Sequence, residues 1–325
     1  MVNLAHNSLK EQILETGGTK PVFGGHEKFV FRYGWLKKGI DAIKENPLVF
    51  TDEGALATLG VGKNMVRSIR HWCLAAGLAF EAKETTGLAH HLKPTELARK
   101  LILNKNSWDP YFENIGSLWL LHWQLANNLV RGYVWNLIFS SYLESEFDKR
   151  QIQFFLKKHI EQVGIKTTDG TIEREVDCCI RTYVPSIRSK PGVISEESLD
   201  CPLAELDIIR YVVDDNVYRF NIGNKPSLPV GVFGYALLQY LPAIVTSRRT
   251  LSVDECVYRH GSPGQLFKLD ENSLVEYLEA LEELTSGKIR LQETAGLRQI
   301  YLHNSIASSF DSYALDMLKG HYEQK

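Results

Sequence analysis

The sequence predicts a mostly α-helical protein with small β-sheets, an α+β fold, on three observations. Apolar residues recur at helical spacing through most of the chain, and only short runs alternate as strands do. An order of helix, glycine-containing turn, helix and two extended runs occurs twice. The expected layout is an N-terminal winged helix-turn-helix at 1–105, a central helical or mixed domain at 106–250 and a C-terminal winged-helix-like unit at 251–325. A chain of 325 residues is long enough to bury a core in each of several such units.

Taken in order, a polar leader precedes GGHEKFVFRYGWLKKGIDAIKENPLVF, which reads as a turn, a short helix and a break at Pro47. Thr51 is placed to cap the next helix, TDEGALATL, with Asp52 and Glu53 at its positive end. The turn GVGKN leads into MVRSIRHWCLAAGLAF, a helix over about Asn64 to Ala75. FEAKETTGLAHHLKPT reads as a polar hairpin and ELARKLILN as a further helix. The aromatic-rich stretch from Trp108 to about Lys158 reads as two or three packed helices. VDCCIRTYV and YRFNIG are expected as strands, and GVFGYALLQYLPAIV as a buried helix. The last section repeats the early order: short helix, Gly/Pro turn, long helix and two alternating runs split at Ala295-Gly296.

Charge is unevenly spread although the chain's net charge is only -2. Gly60 to Lys105 holds eight Lys/Arg against three acids, whereas Leu251 to the end holds seven against twelve. A polyanion is therefore expected to prefer the first third. No apolar stretch approaches the roughly 20 residues of a membrane helix, and the acidic, polar leader does not read as a secretory signal. The five cysteines (Cys73, Cys178, Cys179, Cys201 and Cys256) show no CxxC spacing and suit a reducing compartment. A cytoplasmic protein that does not enter a membrane is expected.

On the 64–75 helix, Met65, Ile69, Trp72 and Cys73 share one face, and Asn64, Arg67, Ser68 and His71 the other. The second face would stand in the major groove of double-stranded DNA, where Arg reads guanine and Asn adenine. Arg70 and Lys63 are placed for phosphate contacts, and Lys83 and Lys93 lie on or near the expected wing. The long helix of the C-terminal unit carries Glu276, Glu279, Glu282 and Glu283, which phosphates would repel, so protein contact is expected there.

Two clusters could carry chemistry. In GGHEKFVFR, His26 could serve as general base or metal ligand, Glu27 as metal ligand and Arg32 as a phosphate clamp. A helix start with a surface ion pair explains the same residues. In TIEREVDCCIR, a strand would turn Glu173, Glu175 and Asp177 to one face, where they could hold a divalent cation, Mg or Mn, with Arg181 nearby. A solvated strand face is the alternative. His122, set among aromatics, reads as a satisfied core residue. No GxxxxGK[ST], dinucleotide GxGxxG or GxSxG motif occurs.

Six stretches together (FGGHEKFVFRYGWLKK, LGVGKNMVRSIRHW, LKPTELARKL, WDPYFENIGSLWLLHW, CPLAELDII and PGQLFKLDENSL) resemble a bacterial family encoded beside DNA phosphorothioation genes. That family includes the SspB-like, DNA-nicking components of single-strand phosphorothioation systems in anti-phage defence. The resemblance spans nearly the whole chain beyond the leader. It implies nicking of one strand so that sulfur can enter the backbone, alongside a cysteine desulfurase, an ATPase and a sulfur-transfer enzyme. It matches at His26, Glu27 and Arg32, and so raises their standing as catalytic residues. A non-catalytic DNA-targeting adaptor and a winged-helix transcriptional regulator are the alternatives.

Overall fold

The structure, a computed structural model, describes residues 20–82, 91–185, 201–244, 250–294, 296–307 and 309–323. Among them are fourteen α-helices and three small sheets, the mostly helical α+β fold expected. The chain forms two compact units, 1–138 with 146–219 and 139–145 with 220–325. This division differs from the expected boundaries at 105 and 250. The N-terminal part and the turn between the aromatic helices after it share hydrogen bonds: Val22 N–H donates to the Val130 carbonyl (2.8 Å), and Asn128 Nδ2 donates to the carbonyls of Leu74 and Ala75 (3.2 and 3.1 Å). Periodicity tells which face of a helix is buried, not which element buries it.

The first unit begins with α1 (Trp35–Glu45), α2 (Ala55–Leu59) and α3 (Lys63–Ala75). The strands β1 (Ala79–Ala82) and β2 (His91–Pro94) follow, antiparallel, with Phe80 opposite Lys93. Thr95 then caps α4 (Glu96–Ala98), accepting from Ala98 N–H at 3.2 Å. After it come α5 (Ile115–Ala126), α6 (Tyr133–Ser140), β3 (Glu146–Phe147), α7 (Lys149–Gln162), α8 (Asp169–Tyr183), β4 (Ile209–Val212) and β5 (Val217–Phe220). Helices α5 and α6 are apolar on every side because they form the core. Trp119, Trp123, Trp135 and Tyr133 are fully buried with Trp72 of α3, each such side chain stabilising the fold by about 1.5–3 kcal/mol. His122 is a satisfied core residue, its Nδ1 2.8 Å from the Tyr183 hydroxyl.

The strand expected at VDCCIRTYV is instead the second half of α8. The Thr168 side chain accepts from Thr171 N–H and Asp169 sits in the first turn, which is a helix start. Ile172, Val176, Cys179 and Tyr183 form the buried stripe of that helix at three- and four-residue steps. The β-branched, Cys-rich composition suggested a strand, but the cap and the stripe decide the outcome.

The second unit contains α9 (Val230–Tyr240), β6 (Thr250–Ser252), α10 (Val253–Tyr258), α11 (Pro263–Phe267), α12 (Glu271–Leu284), β7 (Ile289–Thr294), β8 (Leu297–Leu302), α13 (Asn304–Ala307) and α14 (Phe310–Glu323). Its sheet has the order β6-β8-β7. Helix α9 packs closely on α14 and α12 through Gly231 and Gly234. A Cβ at these positions would lie 2.8 Å from the Met317 carbonyl oxygen and from Leu281 Cδ1, respectively. No helix among the described residues is long and apolar enough to cross a membrane.

Candidate nucleic-acid interface

Residues 24–29 form a strap over one end of α3 and α8. Its backbone takes positive φ at Gly24 (72°), Glu27 (49°) and Lys28 (67°). For the last two this costs about 1–3 kcal/mol each and persists only where surroundings enforce it. Here both helices do so. From α3, Ser68 Oγ donates to the His26 carbonyl (2.9 Å) and Trp72 Nε1 to the Phe29 carbonyl (3.0 Å). From α8, Glu175 accepts from Gly24 N–H, Cys178 Sγ lies 3.7 Å from the Phe29 carbonyl, and Arg181 donates to the Lys28 carbonyl. Gly25 must lack a side chain, because a Cβ there would stand 2.5 Å from His71 Nδ1.

His26 is the buried centre of the strap. Its Nδ1 accepts from Lys28 N–H at 3.0 Å, so the ring carries its proton on Nε2. Nε2 lies 3.3 Å from Glu175 Oε1, close enough to pair although off-line for a hydrogen bond. Burial works against charging the ring, but Cys178 and the Glu175 carboxylate outweigh it and push the pKa up to about 10. The Lys28 amide acts in the opposite sense, since a second ring proton would meet that N–H head-on.

His71 lies beside this ring at 5.9 Å between centroids. It is buried and neither of its nitrogens has a hydrogen-bond partner. Burial first, and then the neighbouring His26, Arg131 and Arg70, hold its pKa well below the ordinary 6.5.

The strap, the start of α3 and one face of α8 enclose a cavity of about 460 Å³. Lys28, Arg32, Arg174 and Arg181 line it together with Asn64, and Glu27 is the one carboxylate among the lining residues. A neighbouring cavity of about 550 Å³ shares Lys28, Arg174 and Arg181 and adds Lys149, Glu173 and Asp177. The Arg32 guanidinium lies over the rings of Phe29 and Trp35, at 5.9 and 5.2 Å. Such a surface suits an anion with several oxygens, because guanidinium groups and an ammonium supply many donors in a small space.

The sequence-predicted residues separate into several groups. His26, Glu27, Arg32 and Asn64 meet in the first cavity. Lys63, Asn64 and Arg67 are exposed on α3, with Arg67 3.3 Å from Glu27. Ser68 and His71 do not project outward as expected but are buried beneath the strap. A helix wheel assumes one buried face, and α3 has a second one because the chain returns over it. Arg70 is half-buried and held by Glu81 at 2.7 Å, which Arg131 also contacts at 2.8 Å. Lys93 is exposed on β2, and Lys83 lies outside the described residues.

The expected three-acid face is not formed. On helical α8, Glu173 and Asp177 stand one turn apart beside the second cavity, while Glu175 turns inward to His26. Asp177 is itself paired with Lys149 at 2.6 Å. Among the described residues no three His, Cys, Asp or Glu side chains gather to hold a metal ion. Lys28 and Arg174 were missed in the sequence. Arg174 and Arg181 are seven apart, two helical turns, so reading 169–183 as a helix would have placed both on one face.

A family model described as "Protein of unknown function (DUF4007)" matches residues 23–322. Two solved structures, a crystal structure of SspB and a magnesium-ion-bound crystal structure of SspB, are each 31% identical to the chain with a TM-score of 0.82. Each match covers 93% of this chain and 88% of the other. No curated protein matches the chain.

Proposed function

The chain belongs to the family described as a protein of unknown function (DUF4007) and is SspB-like, and on that premise we propose that it binds DNA in a phosphorothioation defence system and nicks one strand there. The observation that carries the binding is the cavity walled by Lys28, Arg32, Arg174 and Arg181, next to exposed Lys63 and Arg67 on α3. Phosphates are what such a surface neutralises best. In this reading the α1–α3 helices with the β1–β2 ribbon act as a winged-helix module, and Lys63, Asn64, Arg67 and Lys93 are its DNA contacts. Strand cutting and the partners (a cysteine desulfurase, an ATPase and a sulfur-transfer enzyme) rest on the family resemblance.

A divalent ion, Mg or Mn, belongs to the reading as a proposal. Glu173 and Asp177 are the two acids left to hold it, Asp177 giving up its pair with Lys149 to do so; Glu175 is committed to His26 and Gly24. Such an ion typically rests on one or two carboxylates with water and phosphate oxygens, and it stabilises charge developing on the phosphate. One observation favours the second reading, a non-catalytic DNA-targeting adaptor. The Nδ1 of His26 already accepts from Lys28 N–H, and its Nε2 is buried facing the Glu175 carboxylate, which leaves the ring poorly placed to deprotonate water.

Supercoiled plasmid incubated with the protein, its partners and Mg²⁺ or Mn²⁺ separates the two. The nickase reading expects open-circle product that Asp177→Asn suppresses. Binding without open-circle product leaves the adaptor. Duplex affinity that shows no salt dependence and survives Arg67→Glu with Arg174→Glu ends both.

A further inference from the structure

We propose that the two adjoining cavities form one groove for a single, unpaired strand, so that the DNA taken up is a locally opened or single-stranded segment. This rests on the DNA-binding reading above and narrows its substrate. The cavities share three cations, Lys28, Arg174 and Arg181, so a chain leaving one enters the other without losing contact with positive charge. At about 460 and 550 Å³, each falls in the range of about 300–1,000 Å³ that holds one small molecule. A nucleotide fits such a space and a stacked duplex does not. Duplex DNA is a convex rod read by protein elements that project into its grooves, the major one about 12 Å wide. A recess is filled the other way, by a strand thin enough to enter the protein.

The second observation is the wall of the first cavity. Phe29 and Arg32 both line it, and the Arg32 guanidinium is backed by the rings of Phe29 and Trp35. Unpaired bases stack on aromatic rings and on guanidinium planes, whereas paired bases in a duplex have no free face to offer. A basic track with a stacking platform in its side is the combination that holds single strands with little sequence preference. The strap sets this geometry: Lys28, Phe29 and Arg32 come from it or its exit, while Arg174 and Arg181 come from α8.

Fluorescence anisotropy on the full chain tests this with three labelled probes at equal salt. They are a blunt duplex, the same duplex with a central unpaired bulge, and one of its strands alone. The bulged and single-stranded probes are expected to bind about tenfold tighter than the blunt duplex, the size of one stacked base. Arg32→Lys keeps the charge but loses the plane. It should erase most of that preference, weakening the bulged and single-stranded probes about tenfold and the blunt duplex by less. Should Arg32→Lys melt early, Arg174→Gln replaces it and is expected to flatten the salt dependence for the unpaired probes. Equal affinity for all three probes, or a preference that survives the variant, overturns the groove and leaves duplex binding standing. No binding to any probe overturns the DNA-binding reading as well.

Discussion

Helices α3 and α12 occupy equivalent places, each following two shorter helices and preceding an antiparallel ribbon, yet they are used in opposite ways. In α12, one stripe (Ser273, Leu274, Tyr277, Leu278 and Leu281) is buried while Glu276, Glu279 and Glu283 face solvent. In α3, burial wraps round to include Ser68 and His71, and only Lys63, Asn64 and Arg67 remain exposed. The difference comes from the strap, which covers the face of α3 that a helix wheel assigns to solvent. An amphipathic pattern therefore locates the surface of α12 and misplaces half the surface of α3. Polar side chains on a helix are evidence of exposure only when no other segment covers them.

The contrast can be broken or sharpened by substitution, starting with the largest effect. Glu175→Ala should destabilise the first unit by about 1–3 kcal/mol in denaturant melts, since it leaves Gly24 N–H without its acceptor and buried His26 without the facing carboxylate. A loss no larger than that of a surface change would mean that the strap is not latched through this pair.

His71→Phe keeps an aromatic ring and removes two unpartnered nitrogens. The native pKa of His71 lies below its unfolded 6.5, so the unfolded chain takes up a proton first and stability falls as pH drops below 6.5. The variant should lose part of that fall, and its thermal midpoint should pull ahead of the parent's progressively on acidification. A constant gap at all pH values would mean that His71 is not the group responsible.

Ser68→Ala removes the hydroxyl that holds the His26 carbonyl and should cost about 0.5–1.5 kcal/mol by chemical denaturation. Were Ser68 instead solvent-facing, the change would be neutral. Glu279→Ala on the exposed face of α12 is the control, expected within about 0.5 kcal/mol of the parent.

Legibility followed the number of partners that each element has. The helical character of α1, α3, α9 and α12, the pairing of β1 with β2 and the core role of His122 could be read because each depends on local spacing and on one apolar face. The 169–183 segment could not, because its β-branched and Cys-rich half outweighed the Thr168 cap that starts it. With it went the geometry of Glu173, Glu175 and Asp177, since two-residue alternation gathers three acids that a 3.6-residue period drives apart. His26, Glu27 and Arg32 stood out as a cluster through glycine-flanked chemistry and family resemblance, and they do line one cavity. Lys28 and Arg174 carried no such mark.

By itself, the sequence determined the helical content, the basic first third, the acidic α12 and the family, because each is written in residue type and short-range spacing. Only the tertiary structure decided that residues 24–29 fold back over α3, that Glu175 meets His26 from 149 positions away, and that Arg174 and Arg181 line the same cavity as Lys28. Those contacts depend on where distant segments land when the core closes. No periodicity within one segment encodes that.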